Sequence, residues 1–285
     1  MERRASPLAF SLSCKRDGRD ARRSTLDMTA PPSHGPAIEG LAIEFDHACF
    51  RLNGRALLQD LVLSVKHGET LVLLGRSGSG KTTTLKLINR LLLPTEGEVR
   101  VNGRRTADWD PIRLRRSIGY VIQDGGLFPH FTVERNIGLV PRIENWPQAR
   151  VEARVRELLA TVGLNPELAS RYPSQLSGGQ RQRVGVARAL AADPPILILD
   201  EAFGALDPIT RSEMQKEFRA LQQRMRKAVI FVTHDLREAL LLADRVALME
   251  EGRLIVDLPV AEFSRSEDPL VRAYVEAFSA LPDRE

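Results

Sequence analysis

The sequence predicts an α/β fold around a mostly parallel sheet, and three patterns in the 285-residue chain lead to that prediction. From Leu41 onward, short runs of aliphatic and β-branched residues are typical of strands. Between about Asp124 and Ala192 these runs stop, and apolar residues recur at helical spacing instead. Beyond Ala192 strand-like and helical segments alternate, which is typical of a parallel sheet covered by helices. We therefore expect a β-rich first part, a parallel core and an inserted helical subdomain.

The elements before the helical subdomain follow from local patterns. Strands are expected from the runs LAIEFDHACF, LQDLVLSV and ETLVLLG, the last of them fully buried. The next segment, KTTTLKLINRLLL, has helical spacing and is stopped by Pro94. A strand and a turn are expected from GEVRVNGR, and another buried strand is expected from SIGYVIQ.

The later elements and the domain boundaries are predicted in the same way. Helical periodicity marks VERNIGLV, ARVEARVRELLATVG and GGQRQRVGVARALAA. Strand and helix then alternate through PILILD, a helix from Pro208, AVIFVTHD, LREALLLAD and RVALMEEGRLIVD. We expect a disordered basic tail over residues 1–38, one α/β domain over 39–265 with its helical subdomain at about 124–192, and a C-terminal helix over 266–285. The tail is instead upstream sequence if translation begins at Met28.

Composition and charge argue against several classes of protein. Hydrophobic residues make up 43% of the chain, so disorder throughout is not expected. The formal charge of +4 lies mostly in the first 27 residues, so we predict no nucleic-acid partner. Cys14 and Cys49 have no metal-ligand spacing, which favours a reduced, cytosolic protein. No apolar run approaches the roughly 20 residues that a membrane-spanning helix needs.

A phosphate-binding loop is predicted at GRSGSGKT, Gly75–Thr82. The stretch matches GxxxxGK[ST] and lies between a buried strand and a helix, where the mechanism requires it, so a merely glycine-rich turn is a poor alternative. Backbone N–H groups and the helix N-terminus would hold phosphate oxygens, Lys81 would reach the terminal phosphates and Thr82 would offer its hydroxyl to Mg²⁺. The predicted nucleotide ligands in this segment are Gly75, Arg76, Ser77, Gly78, Ser79, Gly80, Lys81, Thr82 and Thr83.

Two acidic residues end the apolar strand of PILILDE, at Asp200 and Glu201. Ligands of open α/β sheets sit at the carboxyl ends of strands, so Asp200 is expected to hold Mg²⁺. Glu201 is then placed to polarise the water that attacks the γ-phosphate, because hydrolysis is largely a matter of orienting water and stabilising charge. The alternative is that both are solvated loop residues.

Gln123 and His234 also follow predicted strands. Gln123 precedes Asp124, Gly125 and Gly126, and its amide would touch both Mg²⁺ and the attacking water while the glycines act as a hinge. His234, in FVTHD, would donate a hydrogen bond to the γ-phosphate. Taken alone, each of these two residues is more often structural.

A second glycine-rich stretch, LSGGQRQRV at Leu176–Val184, opens another predicted helix. The order GRSGSGKT, Gln123, LSGGQ, ILILDE, ALD and TH resembles the nucleotide-binding subunit of an ABC transporter, and the resemblance covers nearly everything but the tail. It implies a P-loop NTPase fold of the ABC cassette type, with an N-terminal antiparallel β part, ATP and Mg²⁺ as cofactors, and ATP hydrolysis in a homodimer. In that family the LSGGQ residues, here Ser177, Gly178, Gly179 and Gln180, face the γ-phosphate bound to the second subunit.

The resemblance also assigns roles to single residues. Phe50 matches the aromatic that stacks on adenine, although an aromatic near a strand end is more often part of a core. Gln123 matches the Q-loop glutamine and His234 the switch histidine. Asp207 matches the D-loop residue that crosses the dimer, and with Pro208 next to it Asp207 also fits the N-cap of a helix.

Longer stretches narrow the resemblance. LKLINRLLLPTEGEVRVNG, RRSIGYVIQDGGLFPHFTVERNI and LVPRIENWP are similar to ATPases of osmoprotectant importers, which take up glycine betaine, choline or related amines. This implies integral membrane permease subunits, a substrate-binding protein and a peripheral location on the cytoplasmic face of the inner (plasma) membrane. The segment 126–137 would lie near the groove for a coupling helix, or its Phe128 and Phe131 pack inside the helical subdomain. A different cargo, such as a lipid or another organic ion, and a non-transport ABC ATPase remain the alternatives.

Overall fold

The computed structural model describes residues 40–279. The basic tail predicted over residues 1–38 and the end of the predicted C-terminal helix, residues 280–285, lie outside this range. The strands are β1 (Leu41–Leu52), β2 (Arg55–Lys66), β3 (Thr70–Leu74), β4 (Glu96–Val101), β5 (Arg104–Arg105), β6 (Ile118–Val121), β7 (Ile196–Asp200), β8 (Ala228–Thr233), β9 (Arg245–Glu250) and β10 (Arg253–Pro259). The α-helices are α1 (Lys81–Ile88), α2 (Pro111–Arg116), α3 (Val133–Ile137), α4 (Leu139–Ile143), α5 (Gln148–Thr161), α6 (Gly178–Leu190), α7 (Pro208–Met225), α8 (Leu236–Leu242), α9 (Val260–Phe263) and α10 (Pro269–Ser279).

The strands form two sheets of different kinds. The first is antiparallel, with the order β2-β1-β4-β5. The second has the order β10-β9-β3-β8-β7-β6, and only the β10–β9 pair in it is antiparallel. The carboxyl ends of β3, β6, β7 and β8 therefore meet at one edge of the sheet, which is where open α/β sheets bind ligands. The predicted fold class, with its antiparallel part and mostly parallel core, is confirmed.

The parallel sheet is covered on both faces, and β8 shows how its sequence achieves this. Its six residues are all buried, and alternate ones belong to different hydrophobic clusters. Phe231 faces one cluster, in which its ring lies 5.5 Å from that of Phe203, and Phe203 in turn lies 5.9 Å from Phe218 of α7. Ile230 and Val232 face the other cluster, beneath the antiparallel sheet. A buried ring of this kind stabilises a fold by about 3–5 kcal/mol relative to alanine.

The segment between β6 and β7 holds the helices α3 to α6. Within 124–192, the described residues form helices and turns and no strand, so that the structure has helices where helical periodicity was predicted. The boundaries given for the subdomain stay a prediction. The helix α6 forms its centre, since eight of its thirteen residues are buried.

Helix α1 ends earlier than its sequence pattern predicted. Apolar spacing continues to Pro94, but the helix stops at Ile88 with Asn89 as its C-cap. Arg90 takes a left-handed backbone with φ of 54°, and the N–H of Leu91 donates to the carbonyl of Lys86 at 2.9 Å. These bonds form a Schellman motif, which satisfies the last carbonyls of a helix and reverses the chain. The prediction that the helix runs to Pro94 was therefore wrong.

Candidate active site

The predicted phosphate loop joins β3 to α1. All five residues of β3 are buried, which anchors the start of the loop in the centre of the parallel sheet. Gly80 has φ of 105° and is the N-cap of α1, and a Cβ there would lie 2.8 Å from the Leu58 side chain. A Cβ on Gly75 would lie 2.3 Å from the carbonyl oxygen of Met249. Neither position has room for a larger residue, so the glycines at both ends are required by close approach as well as by backbone conformation.

Lys81 lies at the N-terminal end of α1 and is only 5% exposed. Its ammonium donates hydrogen bonds to the carbonyl oxygens of Gly75 at 2.7 Å and Arg76 at 2.8 Å, so it spans the loop from inside. Burial lowers the pKa of Lys81, while the nearby charges of Glu201, Asp200 and Glu250 raise it. A buried cation beside carboxylates and a helix N-terminus is suited to holding phosphate.

Asp200 ends β7, and Tyr120 of β6 holds its carboxylate. The Tyr120 hydroxyl donates to Asp200 Oδ2 at 3.0 Å. Burial raises the pKa of Asp200 above the ordinary range, the Tyr120 hydrogen bond and the Lys81 charge lower it, and the Glu201 charge raises it. Burial and the Asp200 charge likewise raise the pKa of Tyr120, which keeps the hydroxyl a donor.

Tyr120 was not among the predicted site residues, although the pattern contained a signal for it. The parallel strands β6 and β7 pair Tyr120 with Ile198. Side chains on one face of a sheet recur every second residue, so Asp200 lies on the same face as Ile198 and next to Tyr120.

Glu201 follows β7 directly and is brought close to His234. Its backbone has φ of 46°, a left-handed conformation that costs a non-glycine residue on the order of 1–3 kcal/mol. Its N–H donates to the carbonyl of Val232 at 3.0 Å, so the sheet holds that conformation in place. Glu201 Oε2 lies 3.5 Å from His234 Nδ1, and the His234 side chain is 62% exposed. The predicted general base and the predicted switch histidine therefore lie side by side at the sheet edge.

Gln123 lies just beyond β6, in a short 3₁₀ turn over Gln123–Gly126 that the sequence did not predict. Its side chain is exposed, and its amide nitrogen would be 3.9 Å from a Cβ on Gly204, in the segment after Glu201. Gly125 and Gly126 have φ of 71° and 52°, so the turn needs glycine at both positions. Gln123 is thus close to the segment that follows the predicted general base.

Helix α6 holds this turn from behind. Arg188 donates to the carbonyl oxygens of Gly126 at 2.8 Å and Gly125 at 2.9 Å. Burial lowers the pKa of Arg188. A Cβ on Gly185 would be 3.0 Å from the Cα of Gly125, so the helix and the turn are in close contact. Neither Arg188 nor Gly185 was predicted to be part of the site.

Ser177 begins α6 as its N-cap. It forms a capping box, in which its hydroxyl accepts from the N–H of Gln180 at 3.2 Å and its own N–H donates to Gln180 Oε1 at 2.9 Å. Ser177 and Gly178 are exposed, whereas Gly179 is packed so closely that a Cβ would lie 2.7 Å from Thr210 of α7. Among the described residues, no hydrogen bond joins these signature residues to the phosphate loop.

Asp207 is the N-cap of α7, followed by Pro208 at the first helical position. Its carboxylate accepts from the N–H of Thr210 at 3.1 Å, and hydrogen bonds from the Thr210 side chain and backbone lower the pKa of Asp207. The expected local role of Asp207 as an N-cap is therefore present. Its side chain lies at the surface, where it is accessible to a second subunit.

The ring of Phe50 packs among core residues. It lies within β1, is 7% exposed and belongs to the hydrophobic cluster beneath the antiparallel sheet. The adenine-stacking role that the resemblance assigns to Phe50 stays a prediction. A cavity of about 460 Å³ beside the phosphate loop is lined by Arg55, Ala56, Leu57, Gln59, Arg76, Ser77, Gly78, Ser79, Glu250, Glu251 and Gly252.

The donor set fits a magnesium–nucleotide complex. Thr82, Asp200 and Gln123 supply hydroxyl, carboxylate and amide oxygens, which are the ligands that a hard cation prefers. In the described part of the chain, no three His, Cys, Asp or Glu residues cluster as a complete metal site. Mg²⁺ is usually held by one or two carboxylates together with substrate phosphates, so the sparse set is what such a site requires. None of the described helices has the length and apolarity to cross a bilayer.

Comparison with known proteins identifies the family. The ABC transporter family matches residues 58–204, a span of more than half the chain. The choline transport ATP-binding protein OpuBA of Bacillus subtilis is 50% identical over 202 residues, which cover 71% of this chain and 53% of OpuBA. The glycine betaine uptake system ATP-binding protein YehX of Escherichia coli is 46% identical over 233 residues, covering 81% of this chain and 76% of YehX.

The solved structures agree with these relatives. The dimeric post-hydrolysis structure of the ATP-binding cassette MJ0796, bound to ADP and Pi, is 32% identical with a TM-score of 0.68, and the match covers 76% of this chain and 98% of that one. Like several of the curated relatives, OpuBA is matched over only about half of its own length. The fold, the order of the motifs and these matches together show that the chain belongs to the ABC transporter family.

Proposed function

We propose that the chain is the ATP-hydrolysing subunit of an ABC importer that takes up a small solute, most closely a quaternary-amine osmoprotectant. The observation that carries the hydrolytic part is the convergence of Lys81, Asp200, Glu201 and His234 at one sheet edge, with Glu201 Oε2 3.5 Å from His234 Nδ1. Family membership and the named relatives support the transport part.

The residues have distinct roles in the proposed reaction. Residues 75–83 bind the phosphates, with Lys81 as their cation. Thr82, Asp200 and Gln123 would hold Mg²⁺, which would neutralise charge on the phosphates. Tyr120 keeps the Asp200 carboxylate in one orientation. Glu201 accepts a hydrogen bond from the attacking water and polarises it.

His234 and the backbone around Glu201 complete the arrangement. The exposed His234 ring donates a hydrogen bond to the γ-phosphate. Because His234 lies 3.5 Å from Glu201, the residue that donates to the phosphate and the residue that accepts from the attacking water are adjacent. The left-handed backbone of Glu201 is held by its N–H bond to the Val232 carbonyl, which fixes the residue directly after β7. The adenosine part occupies the 460 Å³ cavity, whose wall includes Arg55 and Leu57.

The proposed assembly is a homodimer with two shared sites. Ser177 and Gly178 are exposed at the start of a thirteen-residue helix, where a phosphate of a second subunit can be held by backbone N–H groups. Asp207 is at the surface on the adjoining helix. The related cassette structure is itself dimeric with ADP and Pi, which supports the same arrangement here.

The proposed membrane partners dock on a second groove, whose lining includes Tyr120, Gly126 and Arg188 of the candidate site. It has a volume of about 350 Å³ and is lined by Arg115, Arg116, Ile118, Gly119, Tyr120, Ile122, Gly126, Phe128, Leu139, Val140, Arg188, Ala189 and Ala192. Phe128 is 42% exposed there and Ile122 is 41% exposed, which supports docking over complete burial inside the helical subdomain. We propose that a coupling helix of an integral permease subunit lies in this groove, on the cytoplasmic face of the plasma membrane, with a substrate-binding protein supplying the solute.

The hydrolytic proposal is tested with Glu201→Gln. This variant keeps the size of the side chain but loses the carboxylate that polarises water, so hydrolysis should fall by at least about a hundredfold. Light scattering with saturating MgATP should show a stable dimer that the wild-type chain forms only transiently. A variant that still hydrolyses ATP, or that stays monomeric, contradicts the proposal.

The transport proposal is tested by copurification from native membranes with identification of the bound proteins. An integral membrane subunit, together with a binding protein whose pocket is an aromatic cage for a quaternary ammonium, is the expected result. Recovery of only ribosomal or other soluble partners contradicts import while leaving ATP hydrolysis intact.

A further inference from the structure

A buried acid next to the site has no part in the chemistry described so far. Glu238 lies in α8 and is only 4% exposed, between Leu236 at 3% and Ala239 at 0%. Carboxylates are rarely buried so fully unless they are paired with donors. The burial of Glu238 therefore has to be explained by the groups that its carboxylate contacts.

Both carboxylate oxygens of Glu238 accept hydrogen bonds from buried side chains. Gln215 Nε2 of α7 donates to Oε1 at 2.9 Å, and the hydroxyl of Thr233 donates to Oε2. Gln215 is 8% exposed and Thr233 is 2% exposed. The Thr233 hydroxyl oxygen also accepts from the N–H of Asp235 at 3.0 Å. In this way the carboxylate holds a three-residue segment whose middle residue is His234.

The position of His234 depends on that segment because its own side chain is largely free. The ring is 62% exposed, so core packing does not fix it, and its contact with Glu201 is 3.5 Å long. Burial raises the pKa of Glu238, and its bonds to Thr233 and Gln215 lower it, so the network opposes the cost of burial.

The same face of α7 also holds the loop that follows Glu201. Arg211 donates to the carbonyl oxygens of Phe203 at 3.1 Å, Gly204 at 2.9 Å and Leu206 at 3.0 Å. Arg211 and Gln215 are four residues apart, so they are neighbours on one face of the helix. One helix face thus sets the position of the loop ending at Asp207 and, through Glu238, that of His234.

We propose that Glu238 is a positioning residue for His234, fixing the Thr233–Asp235 segment to the face of α7 that also holds the loop between Glu201 and Asp207. The inference rests on the proposed hydrolytic role of His234 and adds the element that places it. Because Glu238 touches neither the phosphate loop nor Lys81 in any described hydrogen bond, its removal should alter turnover and leave nucleotide affinity unchanged.

The test compares Glu238→Ala, Gln215→Ala and Glu238→Gln in the full chain, with kcat and KM for ATP measured separately. Glu238→Ala should lower kcat by roughly tenfold to a hundredfold, since small misplacements of a reacting group cost about that much, with KM within about twofold. Gln215→Ala should also lower kcat, and it provides the test if Glu238→Ala does not fold. Glu238→Gln should retain kcat within about twofold. The amide oxygen at position 238 can accept from the Thr233 hydroxyl, and the amide nitrogen can donate to the Gln215 side-chain oxygen once the Gln215 amide has flipped.

Gln222→Ala is the matched control. Gln222 is a buried glutamine of the same helix, 6% exposed, whose amide donates to the Thr70 hydroxyl and the Leu242 carbonyl, away from His234. It should lower the melting temperature without changing kcat. If Gln222→Ala lowers kcat as much as Gln215→Ala does, the loss of kcat comes from general destabilisation, and the proposal is overturned.

His234→Ala separates the inference from the proposed function. If His234→Ala loses turnover and the double variant with Glu238→Ala loses no more, Glu238 acts through His234 as proposed. If His234→Ala is impaired and Glu238→Ala is not, or if the two losses multiply, the positioning role is wrong while the proposed function stands. A fully active His234→Ala overturns both.

Discussion

At the scale of single residues, Asp200 holds a charge where the fold disfavours it. Burial raises the pKa of Asp200 despite the Tyr120 hydrogen bond and the Lys81 charge. A carboxyl group with a raised pKa in the folded state binds its proton more tightly there than in the unfolded chain, so at neutral pH the ionised form destabilises the fold. Below the ordinary pKa of aspartate, about 3.9, both states are protonated and this cost disappears.

Replacing Asp200 with asparagine should therefore raise stability and remove activity together. We expect Asp200→Asn to raise the melting temperature at pH 7 by roughly a few degrees, with the gain shrinking as the pH falls toward 4, and to abolish ATP hydrolysis. Calorimetry across pH 4–8 and an ATPase assay check both parts. Asp108→Asn is the control, because hydrogen bonds from Arg105 lower the pKa of the exposed Asp108 and it should bring no gain. A lower melting temperature for Asp200→Asn at pH 7 contradicts the argument.

At the scale of elements, the sequence predicted those parts whose signals are local. The glycine loop before α1, the helix start at Ser177 and the Asp207 N-cap each depend on residues within a few positions of one another. Tyr120 and Arg188 could not be found in this way, because their partners lie 80 and 63 residues away. The sheet order and the packing of α6 on the Gln123 turn, which bring these residues together, are tertiary facts.

Two further features depend on structure that local sequence patterns do not reveal. Apolar spacing after α1 continues because Leu91 and Leu92 follow the helix, but the left-handed Arg90 ends it. Phe50 matches a motif position, yet its burial depends on the antiparallel sheet closing over it. Local patterns therefore reveal neither where α1 ends nor which side chains the antiparallel sheet covers.

Helix α6 joins the signature residues to the Gln123 turn, and Arg188 is the connection. We expect Arg188→Lys to loosen that turn, because lysine has one ammonium nitrogen in place of the two guanidinium nitrogens that bond the carbonyl oxygens of Gly126 and Gly125 separately. Hydrogen exchange at residues 123–126 should accelerate and kcat should fall severalfold, at a cost of about 1–3 kcal/mol in stability.

Arg154→Lys is the matched control for this change. Arg154 of α5 also donates to two backbone carbonyls, those of Leu190 at 2.9 Å and Ala191 at 3.2 Å, at the C-terminal end of α6. It should cost similar stability and leave both kcat and exchange at 123–126 unchanged. Equal effects of the two substitutions on kcat would show that Arg188 acts only on the stability of the helical subdomain.

At the scale of the whole molecule, the chain contains two halves of a phosphate site that no described hydrogen bond joins. The phosphate loop is closed by Lys81, and the exposed Ser177 begins a helix that contacts α7. In a symmetric dimer, the phosphate loop of each subunit faces the signature residues of its partner. A two-fold interface makes this pairing twice, so the dimer has two shared sites. The proposed assembly therefore makes a prediction about mixtures of two inactive chains.

Lys81→Ala removes the phosphate-binding half and Ser177→Arg blocks the signature half, so each homodimer should occlude no ATP. In the Glu201→Gln background, a heterodimer of the two has one intact site, built from the Lys81 of one chain and the Ser177 of the other. We expect about one ATP per heterodimer, which is about a quarter of the total for the Glu201→Gln parent when equal amounts mix at random. Differently tagged chains allow the heterodimer to be isolated and its nucleotide counted. An isolated heterodimer with no ATP would mean that each site is completed within its own chain, and the shared-site assembly would have to be abandoned.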